Sequence, residues 1–106
     1  MKESKFQKDV IDFLEEEYPG CLIIKNDPTY IQGIPDFLVL YKNKWAALEF
    51  KKSEDATHQP NQDDYVEMLN NMSYSNFVYP ENLEEVLDDI QRTFKPRRKA
   101  RASRSK

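Results

Sequence analysis

The sequence predicts an α/β fold in which helices flank a sheet, and three features carry that expectation. Residues 4–18 repeat apolar side chains at helical spacing. Two strand-like runs, residues 34–41 and 44–52, are parted only by Lys42 and Asn43. The chain then passes through a helical, an extended and a second helical pattern, so the expected order is helix, three strands, helix, strand, helix. At 106 residues there is room for one domain with a real core, and none for separate cofactor and substrate domains. The expected organisation is a single domain over residues 1–94 and a basic tail over residues 95–106.

Each element has its own signal. Phe6, Val10, Phe13 and Leu14 fall on one helical face between Ser4 and Tyr18, and Pro19-Gly20 ends the run. Ser4 and Gln7 have the spacing of a capping box at its start. Cys21 to Lys25 is a short apolar run suited to a strand, closed by Asn26-Asp27-Pro28. Gln59 to Met72 reads as a helix with Tyr65, Val66, Leu69 and Met72 inward. Tyr74 to Tyr79 reads as a strand, and Leu83 to Ile90 as a helix burying Leu83, Val86, Leu87 and Ile90. No internal repeat is visible.

Composition excludes several classes of function. A lone cysteine, Cys21, permits no intrachain disulfide, and with the lone His58 it cannot build a zinc site of the Cys/His type. The charged N-terminus and the lack of an apolar run near the roughly 20 residues needed to span a bilayer argue against a signal peptide or membrane span. A soluble protein of the cytoplasm is expected, the host cytoplasm if the chain is viral. The net charge of −3 hides an asymmetry: residues 95–106 carry seven basic and no acidic side chains, whereas residues 1–94 carry nine basic and nineteen acidic ones. The tail is expected to be disordered and available to phosphates through residues such as Arg97, Arg98, Lys99 and Arg101. A merely solubilising or expression-derived end is the plainer alternative.

The candidate chemistry lies on the hairpin. If Lys42 and Asn43 are the central residues of a tight turn, Tyr41 faces Lys44 and the same register carries Asp36 opposite Glu49. Directly opposed Cβ atoms lie about 4.5–5.5 Å apart, and the two-residue strand period puts Lys51 on the face of Glu49. Leu38, Leu40, Trp45 and Ala47 share that face, while Phe37, Val39, Ala46, Leu48 and Phe50 occupy the other. Strands so apolar should be central and covered on both sides. Two opposed acids in such surroundings need compensation, and a divalent cation with hard oxygen ligands, Mg²⁺ or Mn²⁺ in preference to zinc, supplies it. Taken singly, Glu49 and Lys51 would also suit a sheet rim, and Asp36 a turn acid after Pro35. Their combination with Gly33 and nearly uncharged strands favours the metal site.

Gly33-Ile34-Pro35-Asp36, a gap of twelve residues and Glu49-Phe50-Lys51 together resemble the PD-(D/E)xK nuclease core. With Gln62 downstream, the arrangement is similar to the virus-type replication-repair (VRR-NUC) branch and to Holliday-junction resolvases, over roughly residues 3–90. The resemblance implies a restriction-endonuclease-like core, a central mixed sheet flanked by helices. It implies that Asp36 and Glu49 are metal-binding acids, with the Phe50 carbonyl as a further ligand. Lys51 would match the lysine that positions or activates the attacking water, Gln62 the glutamine after that strand, and Glu3 the first-helix acid of resolvase-type members. Two positions depart from the usual pattern: the Lys42-Asn43 turn and the Asn70-Asn71-Met72-Ser73 segment both lack a glycine. Asn43 can supply a left-handed conformation to the turn.

The activity so implied is Mg²⁺-dependent hydrolysis of DNA phosphodiesters by a structure-selective endonuclease, such as a viral junction resolvase. Symmetric cutting of two strands favours a homodimer. An acidic body grips DNA poorly, so local basic residues, Lys25, Lys42, Lys44 and Lys52, join the tail as candidate phosphate contacts, each with a solvated surface charge as its default reading. His58 would act in catalysis only on reaching the carboxylates, and is otherwise an exposed loop histidine. Tyr30 and Tyr74 are candidates to touch nucleic acid or simply to pack. The competing functional classes are a non-catalytic nucleic-acid or protein-binding module on the same fold, and a nuclease subunit of a larger repair or replication assembly.

Overall fold

The computed structural model describes residues 3–96, apart from the side chain of Glu3. The tail candidates Arg97, Arg98, Lys99 and Arg101 lie outside the described residues. Helix α1 (Glu3–Glu17) leads into strand β1 (Leu22–Lys25), the hairpin β2 (Phe37–Tyr41) and β3 (Lys44–Phe50), helix α2 (Gln62–Met72), strand β4 (Tyr74–Val78) and helix α3 (Leu83–Phe94), with a short 3₁₀ turn at Pro80–Asn82. This is the expected order.

The four strands form one mixed sheet in the order β1-β2-β3-β4. β1, β2 and β3 are antiparallel neighbours. β4 returns through α2 to lie parallel to β3, since a parallel neighbour needs a crossover and α2 provides it. The β2–β3 ladder runs from Tyr41 opposite Lys44 to Phe37 opposite Leu48, the register expected from a two-residue turn. Within that turn the left-handed residue is Lys42, with φ 57°, and not Asn43. A single positive φ at the first central residue is the type II′ pattern, which needs no glycine-like second position.

One face of the sheet is sealed. Val39, Tyr41, Ala46, Leu48 and Phe50 pack beneath Phe6, Val10, Leu14 and Tyr18 of α1 and Val86, Ile90 and Phe94 of α3. Tyr18 meets Tyr41 and Phe94 with ring centroids 5.4 and 5.1 Å apart, and Phe50 meets Phe6 and Phe37 edge-on at 6.0 and 5.5 Å. Such offset and edge contacts suit the ring quadrupoles.

The other face is only partly covered, contrary to the expectation from the apolar strands. α2 overlies the β3–β4 side with Gln62 and Val66 buried. Beyond it, Leu38, Leu40, Trp45 and Ala47 line an open hollow with Ile31, Ile34, Asn26 and Leu69, and Leu22 and Ile24 of β1 lie exposed beside them on the same face.

Three local expectations are corrected. Helix α1 begins at Glu3, so Ser4 is inside it and forms no cap. Phe13 is 43% exposed and Met72 65%: Phe13 lies about 80° and Met72 about 100° around its helix from the mean direction of the buried residues, at 100° per residue. Helix α2 starts at Gln62, not Gln59, because Asn61 takes φ 72° and cannot belong to the helix. Gly33 explains this turn's position. At φ 93°, a Cβ on Gly33 would lie 2.7 Å from Asn61 Cβ and 2.9 Å from the Pro60 carbonyl oxygen, so only glycine lets the two segments meet.

Candidate active site

Asp36 stands just before β2 and is fixed from both sides. The Asn26 N–H donates to the Asp36 carbonyl at 2.7 Å, and Asn26 Nδ2 donates to the Pro35 carbonyl at 2.7 Å. These bonds carry the β1–β2 pairing one residue past its last strand pair, Lys25 with Phe37, and continue the register that brings Asp36 to Glu49. The contact is made: the Asp36 N–H donates to Glu49 Oε1 at 3.1 Å.

Glu49 is 4% exposed and lies on the α2 face of β3. Its other oxygen, Oε2, accepts from Gln62 Nε2 at 3.0 Å. Gln62 is held in turn through its Oε1, which accepts from the Gln59 N–H at 2.8 Å. A buried carboxylate bonded at both oxygens keeps one rotamer and avoids the cost of unsatisfied burial.

Lys51 is 9% exposed, and its N–H donates to the Val78 carbonyl at 2.9 Å, extending the β3–β4 pairing beyond the strand. Its ammonium donates to the Thr57 carbonyl at 3.0 Å. Burial pushes the Asp36 carboxyl above its ordinary pKa, against the Phe50 N–H, the Lys25 and Lys51 ammonium groups and a hydrogen bond with Glu49, which all favour the ionised form. Desolvation wins that contest, so ionised Asp36 is held at a cost.

The residues present fit a hard divalent cation. Two carboxylates converge, and because the N–H and C=O of one strand residue point to the same neighbour, the Phe50 N–H beside Asp36 sets the Phe50 carbonyl on that side too. The donors are all oxygen, as Mg²⁺ or Mn²⁺ requires. Among the described residues no group of three or more His, Cys, Asp or Glu side chains forms a metal cluster, so protein ligands would be few.

A cleft of about 400 Å³ opens beside Asp36, lined by Ser4, Gln7, Lys25, Asn26 and Pro28. Lys25 is thereby beside the site. Lys42 and Lys44 sit at the hairpin tip, five residue pairs and roughly 17 Å from Asp36 at about 3.4 Å per residue, and Lys52 is exposed just past Lys51. Tyr74 is buried, its hydroxyl donating to Asp89 Oδ2 at 2.9 Å, whereas Tyr30 is exposed. Sequence reasoning did not find Asn26 or Thr57. A turn asparagine and a backbone carbonyl carry no signal of such roles.

Two solved structures share this arrangement of elements. One, described as "VRR_NUC domain protein", superposes with a TM-score of 0.63 over 90% of this chain and 89% of its own, at 18% identity. Another, described as "VRR_NUC domain", gives 0.59 over 81% and 94%, at 24% identity. The fold is the VRR-NUC fold. No family model and no curated protein matches the sequence, so the likeness is carried by the VRR-NUC architecture. In this chain the two carboxylates sit on the Gly33–Asp36 turn and on β3, Lys51 just past the end of β3, and Gln62 at the start of α2.

Proposed function

We propose that this chain is a metal-dependent DNA endonuclease, with Asp36, Glu49, Lys51 and Gln62 as its working residues. The observation that supports this reading best is Glu49, buried opposite Asp36 and bonded at both oxygens, with the Lys51 ammonium on the same face. An ordinary structural carboxylate has no reason to face a second, desolvated one. The VRR-NUC fold adds the expectation of phosphodiester hydrolysis and of Glu3 as a further acid.

Asp36, Glu49 and the Phe50 carbonyl would hold Mg²⁺ or Mn²⁺, which when bound supplies a water of lowered pKa and Lewis-acid polarisation of the phosphoryl oxygen. The protein does the rest. Gln62 keeps the Glu49 carboxylate turned toward Asp36. Lys51, with one N–H committed to Thr57, has two donors left to orient a water or to meet the charge that develops on phosphorus oxygens. Lys25, at the cleft beside Asp36, is placed to hold a flanking phosphate.

Within this reading the substrate is branched DNA, the chain is viral and works in the host cytoplasm, and two copies pair to cut two strands. The open apolar face of Leu22, Ile24, Leu38 and Leu40 is the surface such a pairing would use. The same open face also supports the alternative that the chain is a nuclease subunit seated on a larger assembly.

The test is cleavage of a four-way junction, a flap, a nicked duplex, a linear duplex and a single strand, with Mg²⁺ or Mn²⁺. Wild type should cut at least the junction, and Asp36→Ala should not. If the two behave alike on every substrate, the chain is no nuclease. Binding without cleavage, unaltered by Glu49→Ala, would instead mark a non-catalytic module.

A further inference from the structure

Residues 52–61 run from the end of β3 to α2 without regular secondary structure, and the His58 side chain is among the groups that tie this loop to the rest of the fold. The His58 ring lies on Phe77 of β4, centroids 4.0 Å apart and planes within 18° of parallel. Its Nδ1 is 2.7 Å from Oδ1 of Asp63 in the first turn of α2. Phe77 is the β4 residue in register with Glu49. Loop, strand and helix therefore meet at one imidazole, and the residue before it, Thr57, supplies the carbonyl that accepts from Lys51 Nζ.

A solvated loop histidine would need neither contact. A lysine ammonium on four rotatable bonds, by contrast, needs a fixed acceptor to stay in one place, and a backbone carbonyl is only as fixed as its loop. The loop has two clamps with separate beneficiaries. The Gln59–Gln62 bond steadies Glu49, and the His58 clamp steadies the carbonyl that holds Lys51.

We infer that His58, stacked on Phe77 and hydrogen-bonded to Asp63, is a positioning residue that holds the Thr57 carbonyl where it fixes the Lys51 ammonium beside Asp36 and Glu49. The inference rests on the reading of Lys51 as the working lysine of a nuclease. His58 itself touches no reacting atom.

The experiment uses the full chain and two readouts. In nuclease assays His58→Ala should lower kcat roughly tenfold to a hundredfold, the range seen when a group supporting an active-site ligand is lost, with KM for DNA and Mn²⁺ affinity near wild type. His58→Asn, which keeps a donor near Nδ1, and His58→Phe, which keeps the stack, should each restore part of the loss. Asp63→Ala, at a side chain that is 73% exposed, should lower kcat too and add little to His58→Ala. The second readout needs no cleavage: in ¹⁵N-lysine spectra of the metal-free protein, the Lys51 ammonium, identified by its loss in Lys51→Arg, should be slowly exchanging in wild type. It should join the solvated lysines in His58→Ala and move toward them in Asp63→Ala. A Lys51 signal unchanged in both variants overturns the inference, as does a rise in KM alone. A wild type that cuts nothing sinks the nuclease reading, and the Lys51 signal still decides whether the clamp exists. Should His58→Ala fail to fold, the Lys51 signal of Asp63→Ala decides alone.

Discussion

Gln62 Nε2 donates to Glu49 Oε2 across 3.0 Å, joining the first residue of α2 to the second-last residue of β3. The bond is buried and leaves the carboxylate one orientation. Gln62→Ala should therefore weaken Mn²⁺ binding about tenfold or more, as loss of a group that orients a ligand does. Calorimetric titration reads this directly. Equal affinity in mutant and wild type would reduce Gln62 to a helix-start residue.

Asp36 should behave as a strained acid. Its carboxyl pKa is raised chiefly by burial, so the folded state binds its proton more readily than the unfolded chain does. Because the folded state binds more protons than the unfolded one over this range, unfolding free energy falls as pH rises from the ordinary carboxylate value through the raised folded one. Asp36→Asn should remove that slope and leave the metal-free protein more stable at neutral pH. Wild type should gain melting temperature with saturating Mg²⁺ or Mn²⁺ by linkage, and Asp36→Asn should not. Denaturation with and without chelator checks both halves, and a wild type indifferent to metal would contradict them.

The two glycines offer a controlled comparison. Both have φ near 90°, but nothing lies within 4 Å of a Cβ built on Gly20, whereas one on Gly33 strikes Asn61 and Pro60. Gly20→Ala should cost only backbone strain, about 1–2 kcal/mol. Gly33→Ala should cost more and should also push the Pro60-Asn61 turn away, disturbing Gln62. Denaturant midpoints and the Mn²⁺ affinity of the two variants distinguish these effects, and equal losses would show that the close approach carries no weight.

Deleting the basic residues after Phe94 should weaken DNA binding and flatten its dependence on salt, by about 0.9 in the log–log slope for each phosphate no longer neutralised. Fluorescence anisotropy over a range of salt concentrations provides the measurement. Parallel slopes would take the tail out of DNA binding.

The hairpin was legible because a two-residue gap between apolar runs leaves one sensible register, and that register alone aligns Asp36 with Glu49. The faces of α1 and α2 were legible at their centres and not at their margins, where Phe13 and Met72 sit too far around the helix to be buried. Ser4 has the right chemistry for a cap, but helix α1 begins one residue earlier. The half-open sheet face could not be read, since apolar strands look alike whether or not a second layer covers them. A lone histidine in a loop offers the sequence reader only direct catalysis or solvent exposure. The role of His58 depends on Phe77 and Asp63, whose relation to it exists only after β4 has docked beside β3.

That docking sets a schedule for synthesis. Asp36, Glu49 and Lys51 have all been made once the chain reaches residue 51, yet the Lys51 amide has no partner until Val78 arrives. Its ammonium has no steady acceptor until Phe77 gives His58 a surface to rest on. A ribosome that has released only the hairpin and α2 has made Asp36, Glu49, Lys51 and Gln62, but the two contacts that settle Lys51 still wait for β4. If the chain is the nuclease proposed above, competence to cut would thus appear late, when the last strand is laid down, and a half-made chain would not act on nucleic acid while it is still being translated.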